Sequence, residues 1–309
     1  MKIAIITQDS KRLVPYLMDE YDVCGLIECA DRKKRTKFFK VLTKLYRMIF
    51  RRERPLVSLS KKHNVPYFFL KKNTQKNLKD FLEQVKPDLV IVYSMSFLLK
   101  SDVLEILKHG FINLHPSYLP YYRGANPDFW QYYNAESEQG ITIHKIDAGE
   151  DTGDIILQEK IKVPLGIKSP ERLDILINKH GLPLMRRAIS MIEEGENNFQ
   201  KQEPRPELLK ARNIIKSEHK GLIPWELWSV ERVWNLLRGT ESWFEPIKQP
   251  SGIYKGQRWS VGGFEKCVTD QSKLGSVQKK ENNYYLVCKD GVINLKIHFS
   301  LRSLILSFF

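Results

Sequence analysis

At 309 residues the chain is long enough for two domains, and a composition of 42% hydrophobic and 11% aromatic residues excludes a disordered polymer. Its formal charge of +14 admits nucleic acid, an anionic surface or a phosphorylated substrate as partner and selects none of them. No window approaches the roughly 20 apolar residues of a spanning helix, and the first apolar run is too short for a signal-peptide core, so a soluble, cytoplasmic protein is expected.

In chain order, Ile3–Thr7, Val23–Glu28, Tyr67–Leu70, Leu89–Tyr93 and Phe111–Leu114 read as buried strands. Helical spacing over Gln75–Val85 and Ser101–Lys108 lies between them, with Asn73 or Thr74 and then Ser101 as candidate caps. This alternation predicts a parallel α/β sheet. The turn after the first strand, Thr7-Gln8-Asp9-Ser10-Lys11-Arg12, has no glycine, which argues against a dinucleotide or ATP pyrophosphate there. Between Arg32 and Arg54 eleven Lys and Arg meet only Glu53, and Phe38, Leu42, Leu45 and Ile49 recur at helical steps. A solvated helix with one apolar stripe is the plainer reading; a helix that contacts a polyanion or membrane is the alternative.

Further on, Ile141–Ile146 and Asp154–Val163 are strand-like, and Ser169 to Glu194 reads as one long helix with Leu173, Ile177, Leu184, Ala188 and Ile192 on its apolar face. Glu194–Pro206 is polar, with glycine, asparagine and proline, and reads as a linker. Beyond it a short helix, Glu231–Leu237, is followed by strands separated by glycine and Asn-Asn or Asp-Gly turns, the spacing of a small β-barrel. The expected organisation is a Rossmann-like, mostly parallel α/β domain over 1–195, a linker over 196–206, and a smaller OB-like barrel over 207–309. Cys24, Cys29, Cys267 and Cys288 form neither CxxC nor a zinc-type cluster; reduced, buried, structural thiols and no metal are expected.

Ionisable and proline-rich sequence crowds into 111–155. Asn113 and His115, two apart, project from one face of an extended strand, at the end of a parallel strand where open α/β sheets place ligands. Asp147, Glu150, Asp151 and Asp154 flank Gly149 and Gly153 in a loop able to bring a carboxylate to an imidazole. Taken singly, each has a duller role: a structural histidine, a turn asparagine, an Asp/Gly turn.

Together these blocks resemble the formyltransferase family that uses 10-formyltetrahydrofolate. Asn113-Leu-His115 is similar to its Asn-x-His, Ser117-Tyr118-Leu119-Pro120 to its Ser-Leu-Leu-Pro folate loop with Tyr118 in place of the first Leu, and Asp151-Thr-Gly-Asp154 to the loop whose first Asp completes the triad. The C-terminal stretches Ile223–Trp228 and Val233–Gly239 resemble the family's barrel domain more loosely. The resemblance implies Asn113, His115 and Asp151 as catalytic residues, with Ser117, Tyr118, Leu119, Pro120, Asp147 and Gly149 near the folate. It also implies a His115 imidazolium, held charged by Asp151, that donates to the oxyanion alongside the Asn113 amide.

Two acceptors follow from the resemblance, a nucleotide-linked amino sugar and methionyl-tRNA. Tyr121, Tyr122, Phe129, Trp130, Tyr132 and Tyr133 would suit stacking on a sugar or base, with Tyr122, Arg123 and Trp130 as substrate contacts, though a helix packed on the core explains the same cluster. The net charge and the basic C-terminal third favour tRNA. The nucleotide sugar is the preferred partner, tRNA the runner-up, and a homodimer is allowed for. A non-catalytic RNA-binding scaffold and a formyl-folate hydrolase are minor alternatives.

Overall fold

All five residues of β1 (Ile3–Thr7) are buried, and three are isoleucines whose burial contributes roughly 1.5–3 kcal/mol apiece. The run has no alternation because β1 is covered on both faces and bonded on both edges. It pairs in parallel with β2 (Val23–Cys29) on one side and with β4 (Leu89–Tyr93) on the other. With β3 (Tyr67–Leu70), β5 (Phe111–His115), β6 (Glu138–Lys145) and β7 (Ile155–Lys162) the sheet has the order β3-β2-β1-β4-β5-β6-β7. It is parallel as far as β5, and β6 returns antiparallel to β5. The computed structural model describes residues 1–29, 54–203, 209–250 and 256–299, so the expected basic helix lies outside the described residues.

Helices α1 (Val14–Glu20), α2 (Pro55–Lys62), α3 (Gln75–Val85) and α4 (Ser101–Leu104) accompany the parallel strands. The span of α3 matches its periodicity, yet the Thr74 hydroxyl bonds Lys71 rather than capping the helix. α4 is shorter than the predicted 101–108, and Ser101 is not its cap. The chain leaves the helix early because the His109 N–H donates to the Asp88 carbonyl and Gly110, at φ 70°, turns into β5.

The single helix expected from 169 to 194 is divided into α6 (Ser169–Leu173), a π-helical stretch (Asp174–Gly181) and α7 (Leu182–Glu193). Pro183 has no N–H to continue an α-helical ladder, so a wider turn is taken up just before it. Gly181 there lies against the sheet: a Cβ would stand 2.6 Å from Ile141 and 2.9 Å from Leu114 side-chain atoms.

The chain forms two compact units that interleave along the sequence, a different division from a cut at 195 and 207. The first comprises Met1–Gly124, Gly140–Ile161 and Leu173–Lys210; the second takes Ala125–Gln139 and Lys162–Arg172 as well as Ala211–Phe309. Nor is the segment after α7 a free linker, since Gln200 forms an antiparallel bridge with Ile155 at the start of β7.

Aromatic chemistry explains the second unit's membership. In α5 (Pro127–Tyr133) Phe129 and Tyr132 are fully buried in a cluster with Val233, Leu236 and Leu237 of α8 (Val230–Thr240). Gly239 admits the Tyr132 ring, which a Cβ would meet at 2.2 Å. Buried Arg172 donates to Asp128 and Gln139 and lies over Tyr132. The unit's sheet is antiparallel, in the order β8-β11-β10-β9, from β8 (Gln257–Lys266), β9 (Val277–Lys280), β10 (Asn283–Cys288) and β11 (Gly291–Phe299). Cys29 and Cys288 are buried as expected, whereas Cys24 is half-buried and Cys267 exposed.

The turn after β5 crosses directly over β6. A Cβ on Gly140 would lie 2.4 Å from the Tyr118 Cβ and 2.6 Å from its backbone nitrogen, a backbone contact that cannot swing aside. Gly140→Ala is therefore expected to lower unfolding free energy by about 1–3 kcal/mol through overpacking, measured by urea denaturation. An unchanged midpoint would mean that the 116–122 turn is not held against β6.

Candidate active site

The parallel run of the sheet ends at β5, whose last residues bring Asn113 and His115 to its C-terminal edge. β6 returns beside it with Asn113 opposite His144. The loop from β6 to β7 then folds back, because Gly153 sits where a Cβ would strike the Lys145 carbonyl at 2.0 Å and the Lys145 N–H donates to Asp154. Asp147 organises the loop by accepting from the Gly149 N–H (3.0 Å) and the Thr152 hydroxyl (2.7 Å). Asp151 emerges in the left-handed region, at φ 54°.

Four groups surround the Asp151 carboxylate. Its Oδ2 accepts from the Gly124 N–H at 2.9 Å and lies 3.5 Å from His115 Nδ1. Its Oδ1 accepts from Asn113 Nδ2 at 3.3 Å and lies 3.5 Å from His144 Nε2. Asn113 Nδ2 also donates to His144 Nε2 at 3.1 Å, while His144 Nδ1 donates to the Lys145 carbonyl at 2.7 Å. Both amide hydrogens of Asn113 are thus engaged, and both nitrogens of His144 are satisfied in one tautomer. His115 Nε2 donates to the Tyr122 carbonyl at 3.0 Å, so its hydrogen is on Nε2 and Nδ1 faces Asp151.

Electrostatics separate the pair. Burial pushes His115 below its ordinary pKa, and neighbouring His144 adds to this; Asp151 pulls the other way without prevailing. The expected imidazolium is therefore corrected to a neutral imidazole: the ring is almost wholly removed from water, and one carboxylate at 3.5 Å does not offset the lost hydration. For Asp151 burial acts upward, but the charge interaction with His115, the His144 contact and the Gly124 N–H hold it well below the usual carboxylate range. A neutral His115 removes part of that help. The direction stands nonetheless, because the Gly124 and Asn113 N–H donors do not titrate.

The structure brings together Asn113, His115 and Asp151, and adds the Gly124 N–H together with His144 and Gln202, two residues that sequence reasoning did not single out. Gln202 accepts from Arg123 Nε and Nη2 (3.0 and 2.8 Å) and donates to the Asp151 and Gly153 carbonyls (3.2 and 2.6 Å). The alternation of β6 places His144 two residues from Thr142 on one face, a signal available in the sequence; nothing local marks Gln202.

Ser117 and Leu119 are spent on the turn: the Ser117 hydroxyl donates to the Tyr121 carbonyl, and the Leu119 N–H donates to the Thr142 hydroxyl, with both side chains buried. Tyr118 and Pro120 remain partly exposed, and the Lys160 ammonium lies over the Tyr118 ring. Tyr122 contributes its backbone, as its side chain is buried. Trp130 belongs to the second unit, where its N–H donates to the Arg212 carbonyl and it packs with Phe129 and Tyr133. The aromatic run expected to stack on substrate thus has Phe129 and Tyr132 in a core. Among the described residues no group of three or more His, Cys, Asp or Glu is placed to hold a metal ion. Nor is any helix among them long and apolar enough to cross a membrane.

Residues 43–188 match the family model described as formyl transferase. A methionyl-tRNA formyltransferase of Clostridium beijerinckii is 33% identical over 238 residues, which span 76% of this chain and 74% of that protein. Among solved structures, WlaRD, a sugar 3N-formyl transferase crystallised with dTDP and 5-N-formyl-THF, superposes with a TM-score of 0.63 at 18% identity, over 97% of this chain and 99% of its own. The N-formyltransferase of Helicobacter canadensis, in complex with folinic acid and dTDP-3-aminofucose, gives 0.60 at 17% identity, over 96% and 99%.

The lowered pKa of His115 has a sign in stability. Below pH 6.5 an unfolded His115 binds a proton that the folded ring refuses, so stability present above that pH is lost as pH falls toward the folded value. Between about pH 7.5 and about pH 5, urea unfolding should show wild type losing stability faster than His115→Gln, by at most about 1.4 kcal/mol per pH unit. Asp151 adds a loss only below its unfolded value of 3.8. A wild type that gained on the variant toward acid would mean a charged ring.

Proposed function

The chain belongs to the formyltransferase family, and from that premise we propose that Asn113, His115 and Asp151 carry formyl transfer from 10-formyltetrahydrofolate to a primary amine. One observation carries this reading: an ionised, largely buried Asp151 stands between the amide and the imidazole at the C-terminal edge of β5. The chain's own residues suit a flat donor with polar edges, since half-buried Met95, Phe97 and Ile146 offer apolar faces in the same unit and the 147–153 loop offers main-chain groups. When bound, the folate supplies the formyl carbon that the amine attacks.

His115 acts as a neutral donor. An imidazole with hydrogen on Nε2 can polarise a carbonyl without carrying charge, once that N–H exchanges the Tyr122 carbonyl for the substrate oxygen. The Asn113 Nδ2, now shared between His144 and Asp151, is the second donor within the cluster. Asp151, ionised at neutral pH, takes the proton that the amine sheds, directly or through water, and passes it to the folate nitrogen as the formyl carbon–nitrogen bond breaks and tetrahydrofolate leaves. The turn 116–122 and the Asp147 loop frame the donor side.

For the acceptor we favour an amine on a nucleotide-linked sugar. Support comes from the end-to-end superposition on sugar N-formyltransferases, while the alignment to methionyl-tRNA formyltransferases leaves about a quarter of each chain unmatched. The methionyl-tRNA reading is kept because those relatives share a third of their aligned residues with this basic chain.

His115→Ala and Asp151→Asn should each lower kcat by about 100-fold or more, the scale of losing an oxyanion donor or its support, with folding checked by melting curves. A folded variant near wild-type turnover would dissociate these residues from the chemistry. Offered amino-sugar nucleotides and methionyl-tRNA in parallel, the enzyme should formylate the sugar with a shallow salt dependence. Turnover confined to tRNA, with affinity falling steeply in salt as many phosphate contacts are lost, would reverse the acceptor assignment.

A further inference from the structure

Gln202 lies in the polar segment after α7, two residues past the Gln200–Ile155 bridge that fastens this segment to the start of β7. Its carboxamide is fully used. The oxygen accepts two hydrogens from the Arg123 guanidinium, and the nitrogen donates to two carbonyls, those of Asp151 and Gly153. Only an amide offers an acceptor end to a cation and a donor end to carbonyls. Carboxylate would repel the carbonyls, and an alkyl group would bond neither side.

The two loops that Gln202 joins are those that hold the Asp151 carboxylate. One is the turn ending at Arg123-Gly124, whose Gly124 N–H donates to Oδ2. The other is the loop of Asp151 itself, whose backbone stands at φ 54°, a conformation that costs free energy for a residue with a side chain and persists only when its surroundings enforce it. We propose that Gln202 is a positioning residue: it clamps the Arg123-Gly124 turn to the Asp151 loop and thereby sets the carboxylate of Asp151 against His115 and Asn113. The clamp rests on the catalytic reading above for its consequence in turnover, but its geometry can be tested without it.

The experiment uses the full chain with Gln202→Ala and the near-isosteric Gln202→Glu, the latter keeping a partner for Arg123 while opposing the carbonyls. Imidazole titration by NMR is followed for His115, which is faced by Asp151, His144 and Glu150 and by the Tyr122 carbonyl. With Asp151 released, its upward pull weakens and the His115 titration should move to lower pH in Gln202→Ala, which adds no charge of its own. In both variants kcat should fall by about 10- to 100-fold, the scale of displacing a catalytic group by about an ångström, while donor and acceptor KM change less than about threefold. A His115 titration that is unmoved in folded Gln202→Ala overturns the proposal. So does a loss confined to KM, which would make Arg123 and Gln202 substrate contacts. If wild type transfers no formyl group at all, the catalytic reading fails, and the His115 titration still decides the clamp.

Discussion

A carboxylate taken mostly out of water must be given donors or lose its charge, and Asp151 is given them from two separate parts of the chain. The Gly124 N–H arrives from the turn after β5 and the Asn113 amide from β5 itself, while the imidazoles of His115 and His144 stand beside the carboxylate at 3.5 Å. Each side chain around it has its own anchor: Asn113 bonds His144, His144 bonds Lys145, and His115 bonds Tyr122. The strand order serves this convergence, because reversing direction at β6 is what sets His144 opposite Asn113. With the carboxylate misplaced, Asn113 would lose one of its two acceptors.

The cluster is closed on itself. Every donor described is already hydrogen-bonded within the network, so on the proposed reading the arrangement would bind a developing oxyanion only by exchanging internal partners for external ones. The Tyr122 carbonyl is the natural partner to be given up, since its bond to Nε2 is directed away from Asp151. Neutral imidazole suits this exchange: a buried cation would bind its surroundings too tightly and cost more to desolvate. On the proposed reading, the same buried setting would keep water from competing for an activated formyl group.

The β1–α1 turn follows the opposite logic at the sheet's switch point. Asp9 accepts from the Lys11 and Arg12 N–H groups and pairs with Arg12, which also reaches Asp174. A carboxylate of the chain itself takes the backbone donors that a glycine-rich loop would turn toward a phosphate.

Much of this was legible in the residues. Apolar runs named β1 and β4, because a strand covered on both faces has no freedom to alternate. The i, i+2 spacing placed Asn113 and His115 on one face, and the crowding of Asp and Gly marked the loop that carries Asp151. Family resemblance tied them together. Tertiary packing decided the rest. Sequence showed a carboxylate near an imidazole and led to a charged ring, but the charge state depends on how much water is excluded, which only the folded surroundings determine. It showed aromatic residues beside the site, whereas Phe129 and Tyr132 pack into the second unit, since burying two large rings outweighs leaving them for a ligand. It showed a polar linker in which Gln202 looks like any other side chain; its role arises from contacts 49 and 51 residues away along the chain, a separation at which no local pattern survives.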